Sequence, residues 1–258
     1  MDKFIFLVAA GFIAGILQSI AGLASLASYP ALLLAGVSPV IANVTNTTSL
    51  IFSGIGATLS SLKDLRGHRK KLLQFILLSL IGSIIGSVLL LIAPASSFEK
   101  VVPFFILVAG ILLLVSNRQK GDPIKNIQNT QKAANKPRWI IYLNMVLIVF
   151  VSVYVGYFGA AGGVLFLAIL SFITDDNFIV VNAMKNVITL VGNLTATIIF
   201  IFKSHIAWLF VIPLAIGLFI GGYVGPIIVR RVNIHLLRVL IFLLALGLAV
   251  YLFITAYF

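Results

Sequence analysis

Gly15-Ile16-Leu17-Gln18-Ser19-Ile20-Ala21-Gly22 in the first half of the chain, and Gly156-Tyr157-Phe158-Gly159-Ala160-Ala161-Gly162-Gly163 in the second, decide the reading of the fold. Each is a Gly-x6-Gly motif inside an apolar run of more than thirty residues, 4–36 and 139–174. The motifs stand 141 residues apart, and at the same offset Ala42 and Thr48 recur as Ala183 and Thr189. Farther on the register shortens by six, so that Gly82 and Gly86 recur as Gly217 and Gly221. The chain therefore reads as an internal duplication. Glycine-broken membrane segments at matching places in two halves are a plan of secondary transporters, in which the substrate sits where the broken segments meet.

The composition fixes the medium. Of 258 residues, 61% are hydrophobic and 9% charged, and the mean hydropathy is +1.19. A soluble domain is about a quarter charged, so the expected fold is an all-α polytopic membrane protein. The absence of cysteine excludes disulfides and thiol chemistry. The first run follows only Met1, Asp2 and Lys3, lacks a convincing cleavage site and has an internal counterpart, so it is expected to be a retained span. The net charge of +12 belongs largely to two loops. One holds Lys63, Arg66, Arg69, Lys70 and Lys71, and the other Arg118, Lys120, Lys125, Lys132, Lys136 and Arg138. Short basic loops stay cytoplasmic and can touch anionic lipid heads. Neither loop carries the aromatics or recognition helix of a nucleic-acid binder, so the bilayer is the expected macromolecular surface.

The first membrane repeat, 1–116, divides into the run 4–36 and spans near 40–62, 72–93 and 98–116. A polar, basic, cytoplasmic linker follows at 117–138. The second repeat, 139–258, holds the run 139–174 and spans near 178–203, 205–229 and 235–256. The total is eight to ten transmembrane segments. Backbone freed at a glycine break cannot face lipid, so each long run is read as a full helix, a glycine turn and a shorter helix. If the shorter helix crosses, each half has five crossings and the halves are inverted; if it re-enters, each has four and the halves are parallel. Only the first arrangement puts Arg230 and Arg231 on the side of the basic loops and leaves Lys203 to His205 outside. Inverted halves are therefore favoured.

All six acidic residues, Asp2, Asp64, Glu99, Asp122, Asp175 and Asp176, fall at span ends or in loops. No span shows the carboxylate or histidine that proton-coupled carriers use. No zinc-ligand spacing, Gly-x-Ser-x-Gly or Walker loop occurs, so no enzyme, metal or cofactor is expected. Asp175-Asp176 reads as a solvated pair in a turn. Lys185 lies about two turns into a span without an acidic neighbour in sequence. It either snorkels to the near interface or supplies a counter-charge for an anion.

Asn43-Val44-Thr45-Asn46-Thr47-Thr48-Ser49 is unusually polar for a span, and Asn186, Thr189, Asn193, Thr195 and Thr197 follow in the second half. Capping accounts for one or two of these groups; interhelical hydrogen bonds or the lining of a polar cavity account for the rest, and the cavity is favoured. A helix starting after Gly22 or Gly163 would aim free N–H groups and a positive dipole end inward, a ready anion site. Gly82, Gly86, Gly217 and Gly221 read as close-packing glycines.

These features resemble the sulfite exporter TauE/SafE family. The resemblance rests on the two glycine motifs, on Pro30 after the first, and on Ala42-Asn43-Val44-Thr45 with its counterpart Ala183-Met184-Lys185-Asn186. The chain departs from the family pattern at Gln18-Ser19 and Ala24-Ser25, at Ser171 and at Asn186. The resemblance implies a carrier of small anions, sulfite and organosulfonates among them, in a prokaryotic cell membrane. The expected site has anion-binding backbone near Gly22, Gly159 and Gly163. Gln18, Ser19, Asn43, Thr45, Asn46 and Asn186 donate hydrogen bonds, and Lys185 supplies positive charge. Lys185→Met is expected to weaken transport and leave folding intact. The coupling ion, H+ or Na+, stays open, as does the oligomeric state; Na+ held by carbonyls at the breaks would leave no charged signature. A channel-like anion pore with the same residues, or a membrane scaffold, are the alternatives.

Overall fold

The computed structural model describes residues 2–92, 104, 107, 111, 138–157, 162–174 and 176–257. The expected span 98–116, apart from helical Phe104, Leu107 and Ile111, and the linker up to 137 lie outside the described residues. Among the described residues nine helices are laid out in order: α1 (Asp2–Ala21), α2 (Ser25–Leu34), α3 (Pro39–Ser61), α4 (Arg69–Ile92), α5 (Arg138–Tyr157), α6 (Gly162–Ile173), α7 (Phe178–Lys203), α8 (Trp208–Arg231) and α9 (Ile234–Tyr257). No strand occurs among the described residues. Local chemistry sets several boundaries. Pro39 opens α3, where its missing N–H costs nothing. The Asn177 side chain accepts the Val180 N–H and caps α7.

The chain is an all-α polytopic membrane protein, and its surface is that of one. Phe202 and Leu209 are 78% and 79% exposed, while Thr45, Ser49, Ser83 and Lys185 are fully buried. Apolar side chains outside and polar ones inside is the arrangement hydrocarbon solvent demands. Among the described residues four helices, covering Lys3–Ala21, Arg69–Leu90, Phe178–Lys203 and Trp208–Arg231, are long and apolar enough to cross a bilayer.

Side-chain contacts show which helix ends share a face. Lys3 Nζ donates to Ala35 O at 3.2 Å, so α2 returns to the face where α1 starts. Thr45 Oγ1 accepts the Ala207 N–H at 3.1 Å, which sets the first turns of α3 beside the start of α8. On the other face, Arg230 Nη1 meets Asp64 Oδ2 at 2.8 Å and joins the ends of α8 and α3. There Lys71 Nζ meets Asp176 Oδ2 at 2.8 Å and joins the starts of α4 and α7. Arg230 thus shares a face with the loop at 63–71, and the turn at Ser204 and His205 lies opposite.

Two glycine seams hold the long helices together. Gly217 and Gly221 of α8 press on the backbone of Val8 and Phe12 in α1. Gly82 and Gly86 of α4 press on the backbone of Val149 and Val153 in α5. Val149 and Val153 stand 141 residues after Val8 and Phe12, the offset of the Gly-x6-Gly motifs. Each seam therefore repeats the other with the halves exchanged. Glycine in a helix interior costs about 0.5–1 kcal/mol relative to alanine, and the dispersion gained by backbone-to-backbone approach offsets it. A Cβ on Gly82 would stand 2.5 Å from Val149 O.

In both seams the residue numbers rise together. Gly11 faces Leu214, Gly15 faces Leu218 and Ser19 meets Gly225, so α1 runs parallel to α8; by the same test α5 runs parallel to α4. Because α8 ends and α4 starts on the Arg230 face, α1 points toward that face and α5 away from it. The ten-residue α2 is about 15 Å long, too short to span. It turns back and ends beside Lys3. The short helix of the first half therefore does not cross.

Gly221→Leu should break the α1–α8 seam and lower the unfolding temperature in detergent, at an overpacking cost of about 1–3 kcal/mol. Gly247, with open space where its Cβ would stand, should accept Leu without loss. Equal behaviour of the two variants in a thermal scan would contradict the packing account.

Candidate functional site

The site is built where α1 stops. Gly22 takes φ +76°, which favours glycine. Its N–H donates to Gln18 O at 2.8 Å and Leu17 O at 3.0 Å, and the Leu23 N–H donates to Leu17 O at 3.3 Å. This is a glycine C-cap of the left-handed type. The Gly22 N–H is consequently spent on its own helix and is not free for a ligand. The first N–H groups without a backbone acceptor, among the described residues, are those of Ala24 and Ser25 at the head of α2.

The two breaks meet. A Cβ on Gly22 would overlap the Gly163 Cα, and one on Gly163 would overlap the Gly22 Cα. The end of α1 and the start of α6 therefore cross backbone on backbone. Gly159, expected in the site, lies outside the described residues.

Lys185 enters this crossing from α7. It is 0% exposed, so it does not snorkel. Its Nζ donates to Gln18 O at 2.8 Å and to Ser19 O at 3.0 Å. These carbonyls belong to the last turn of α1, where Gln18 O also accepts the Gly22 N–H while Ser19 O has no backbone donor among the described residues, and they sit at the negative end of the helix dipole. Lys185 is thus a cap supplied to one half by the other. An ammonium has three hydrogens; two are used, and no further acceptor for the third lies among the described residues.

The remaining expected residues divide in two. Asn46 Nδ2 donates to Ser25 Oγ at 3.2 Å, which ties α3 to the head of α2. The Oδ1 of Asn46 and the Nδ2 of Asn186 are buried without a partner. Such groups are uncommon in folded proteins and mark places where a ligand or water belongs. Other members of the polar run serve the helices themselves. Thr47, Thr48 and Ser49 donate to the carbonyls four residues back, at 3.0, 2.9 and 2.8 Å. Thr45 accepts at the head of α8, Ser19 Oγ bonds Gly15 O at 2.9 Å, and Asn43 is half-buried. Four of the six polar groups in 43–49 are therefore occupied by helix bonds, which narrows the expected polar lining to the two asparagines.

One cluster was not legible beforehand. Asp176, expected to be solvated, has a side chain only 14% exposed and bridges Lys71 and His68 Nε2, the latter at 3.0 Å. It holds the turn before α7, in the second half, to the head of α4, in the first. The sequence carried no signal for it, because Asp176 stands beside Asp175 and its partner Lys71 is 105 residues away. Among the described residues no group of three or more His, Cys, Asp or Glu could hold a metal ion.

Lys185→Met leaves the buried Ser19 carbonyl without a donor and takes one of two donors from Gln18 O, which costs about 1–3 kcal/mol. The expectation that it leaves folding intact is thereby revised: apparent stability in detergent should fall measurably. An unchanged unfolding temperature would show that the carbonyls find other donors.

The sequence profile of the sulfite exporter TauE/SafE family matches residues 7–252. The probable membrane transporter protein ORF9 of a Sinorhizobium species is 28% identical over 249 residues, covering 95% of this chain and 90% of that protein. A probable membrane transporter protein of Haemophilus influenzae is 25% identical, with 95% and 92% covered. One of Bacillus subtilis is 28% identical, with 90% of each chain covered. No solved structure matches.

Proposed function

The chain belongs to the sulfite exporter TauE/SafE family and is a membrane transporter, and from that premise we propose that it carries a small anion by alternating access around a site between two inverted repeats. The observation that carries the reading is the crossing of the two glycine breaks at Gly22 and Gly163, with the buried Lys185 ammonium beside it. The anion lies against the free Nζ hydrogen of Lys185 and the Nδ2 of Asn186. The N–H groups of Ala24 and Ser25 at the head of α2 complete the cradle, where the helix dipole favours negative charge. Sulfite or an organosulfonate fits this donor-rich set. The α1–α8 and α4–α5 seams each join a helix of one repeat to a helix of the other, so the moving bodies are these two seamed groups, and the Arg230 face is cytoplasmic because it holds the basic loop at 63–71.

Alternating access needs closures that break and re-form. On the Arg230 face, the Asp176 contacts to Lys71 and His68 join the two halves and close that side. Partly exposed pairs of this kind contribute about 0.2–1 kcal/mol each, weak enough to yield during a transport cycle. The opposite face has the Thr45–Ala207 bond between the halves.

Thermal unfolding of purified protein should rise with the logarithm of concentration for one or more of sulfite, sulfate, thiosulfate, sulfoacetate, taurine and short carboxylates. The shift should vanish in Asn186→Leu. A flat panel would contradict the anion reading. Asp176→Asn should lower stability by no more than about 2 kcal/mol, the upper end for two such pairs, and raise labelling of a single cysteine at Asn182, buried in the first turns of α7, from the Arg230 side. The natural chain has no cysteine to interfere, and unchanged labelling would count against Asp176 as a closure.

A further inference from the structure

We propose that the Lys185 ammonium fills a cation site made by the Gln18 and Ser19 carbonyls, so that the transporter carries a tethered cation where a mobile sodium ion would otherwise bind. The proposal rests on reading the crossing as the transport site. Its physical basis is the geometry at the end of α1. Two consecutive main-chain oxygens converge on one Nζ at 2.8 and 3.0 Å. Exposed carbonyls at the C-terminal end of a broken helix carry about half a negative charge and are the groups that hold small cations in broken-helix carriers. Here that position is taken by a side chain.

The charge balance points the same way. Lys185 is fully buried, and a buried charge requires compensation. Among the described residues no carboxylate supplies it: Asp64 and Asp176 are paired with Arg230, Lys71 and His68 at one face. The α1 carbonyls are therefore the compensation, and a helix end offers only about half a unit of it. The balance remains positive until an anion arrives at the third hydrogen. A sodium ion added to the same carbonyls would meet like charge at contact distance.

The site is also one-sided. At the duplication offset Lys185 corresponds to Val44, which is 3% exposed and apolar. Among the described residues, an ammonium from the other half reaches the first break alone. The carbonyls belong to the first repeat and the lysine to the second, so the tethered cation ties the halves together at their crossing.

Full-length protein and the Lys185→Ala and Lys185→Met variants would be melted in detergent in choline, sodium or methylammonium chloride at equal ionic strength. The wild type should melt alike in all three salts. Lys185→Ala should melt lower in choline and recover most of the loss in methylammonium or sodium, because a small cation can enter the vacated position. Lys185→Met, whose apolar chain fills that position, should recover nothing. Failure of every cation to rescue Lys185→Ala would overturn the proposal. A second arm uses wild-type protein in liposomes, where anion uptake should be the same in sodium and in choline; a sodium requirement would overturn it independently of any variant's folding. Complete absence of anion uptake would instead sink the transport reading, while the rescue by small cations would still report on the cation site.

Discussion

Gly22 and Gly163 press their backbones together where neither has a side chain to hold them apart, and the interior is arranged around that contact. A helix that stops inside a membrane leaves carbonyls and N–H groups that lipid cannot satisfy. Here the stop is buried against its counterpart from the other half. The carbonyls of α1 receive Lys185 from α7, and the head of α2 receives Asn46 from α3 through Ser25. The break is thus stabilised by hydrogen bonds from two other helices, α3 and α7.

The same contact explains how the halves interlock. The first helix of each half packs in parallel on a later helix of the other half, α1 on α8 and α5 on α4, through glycines at equivalent positions. Polar bonds then tie the faces: Arg230 to Asp64 and Asp176 to Lys71 and His68 on one side, Thr45 to Ala207 on the other. Rigid seams that each draw a helix from both halves, flanked by weaker polar closures, are a mechanical basis for motion of one seamed group against the other. The seam glycines fix which surfaces stay together, and the face contacts fix which can part.

Much of this was legible in the sequence because membrane solvent leaves few options. Apolar runs of the right length located the long helices, and glycine spacing located both the breaks and the seams. The pairing of Arg230 with the loop at 63–71 followed from charge placement alone. Three things were not legible, each for a physical reason. The direction of α2 depends on where Ala35 finds Lys3, a contact between residues that hydropathy treats as neutral turn and span end. The polar run 43–49 looked like a cavity lining because sequence does not show hydroxyls bonding back to their own helix. Lys185 looked like an isolated charge because its partners are main-chain carbonyls, which every residue possesses and no sequence pattern marks.

The account's central claim is that these elements form a carrier whose anion site lies beside the crossing. Counterflow in proteoliposomes tests it most directly. Vesicles loaded with unlabelled sulfite and diluted into labelled sulfite should accumulate label transiently above equilibrium, and Asn186→Leu should abolish the overshoot. A steady anion conductance without any overshoot would contradict alternating access and assign the same site to a pore.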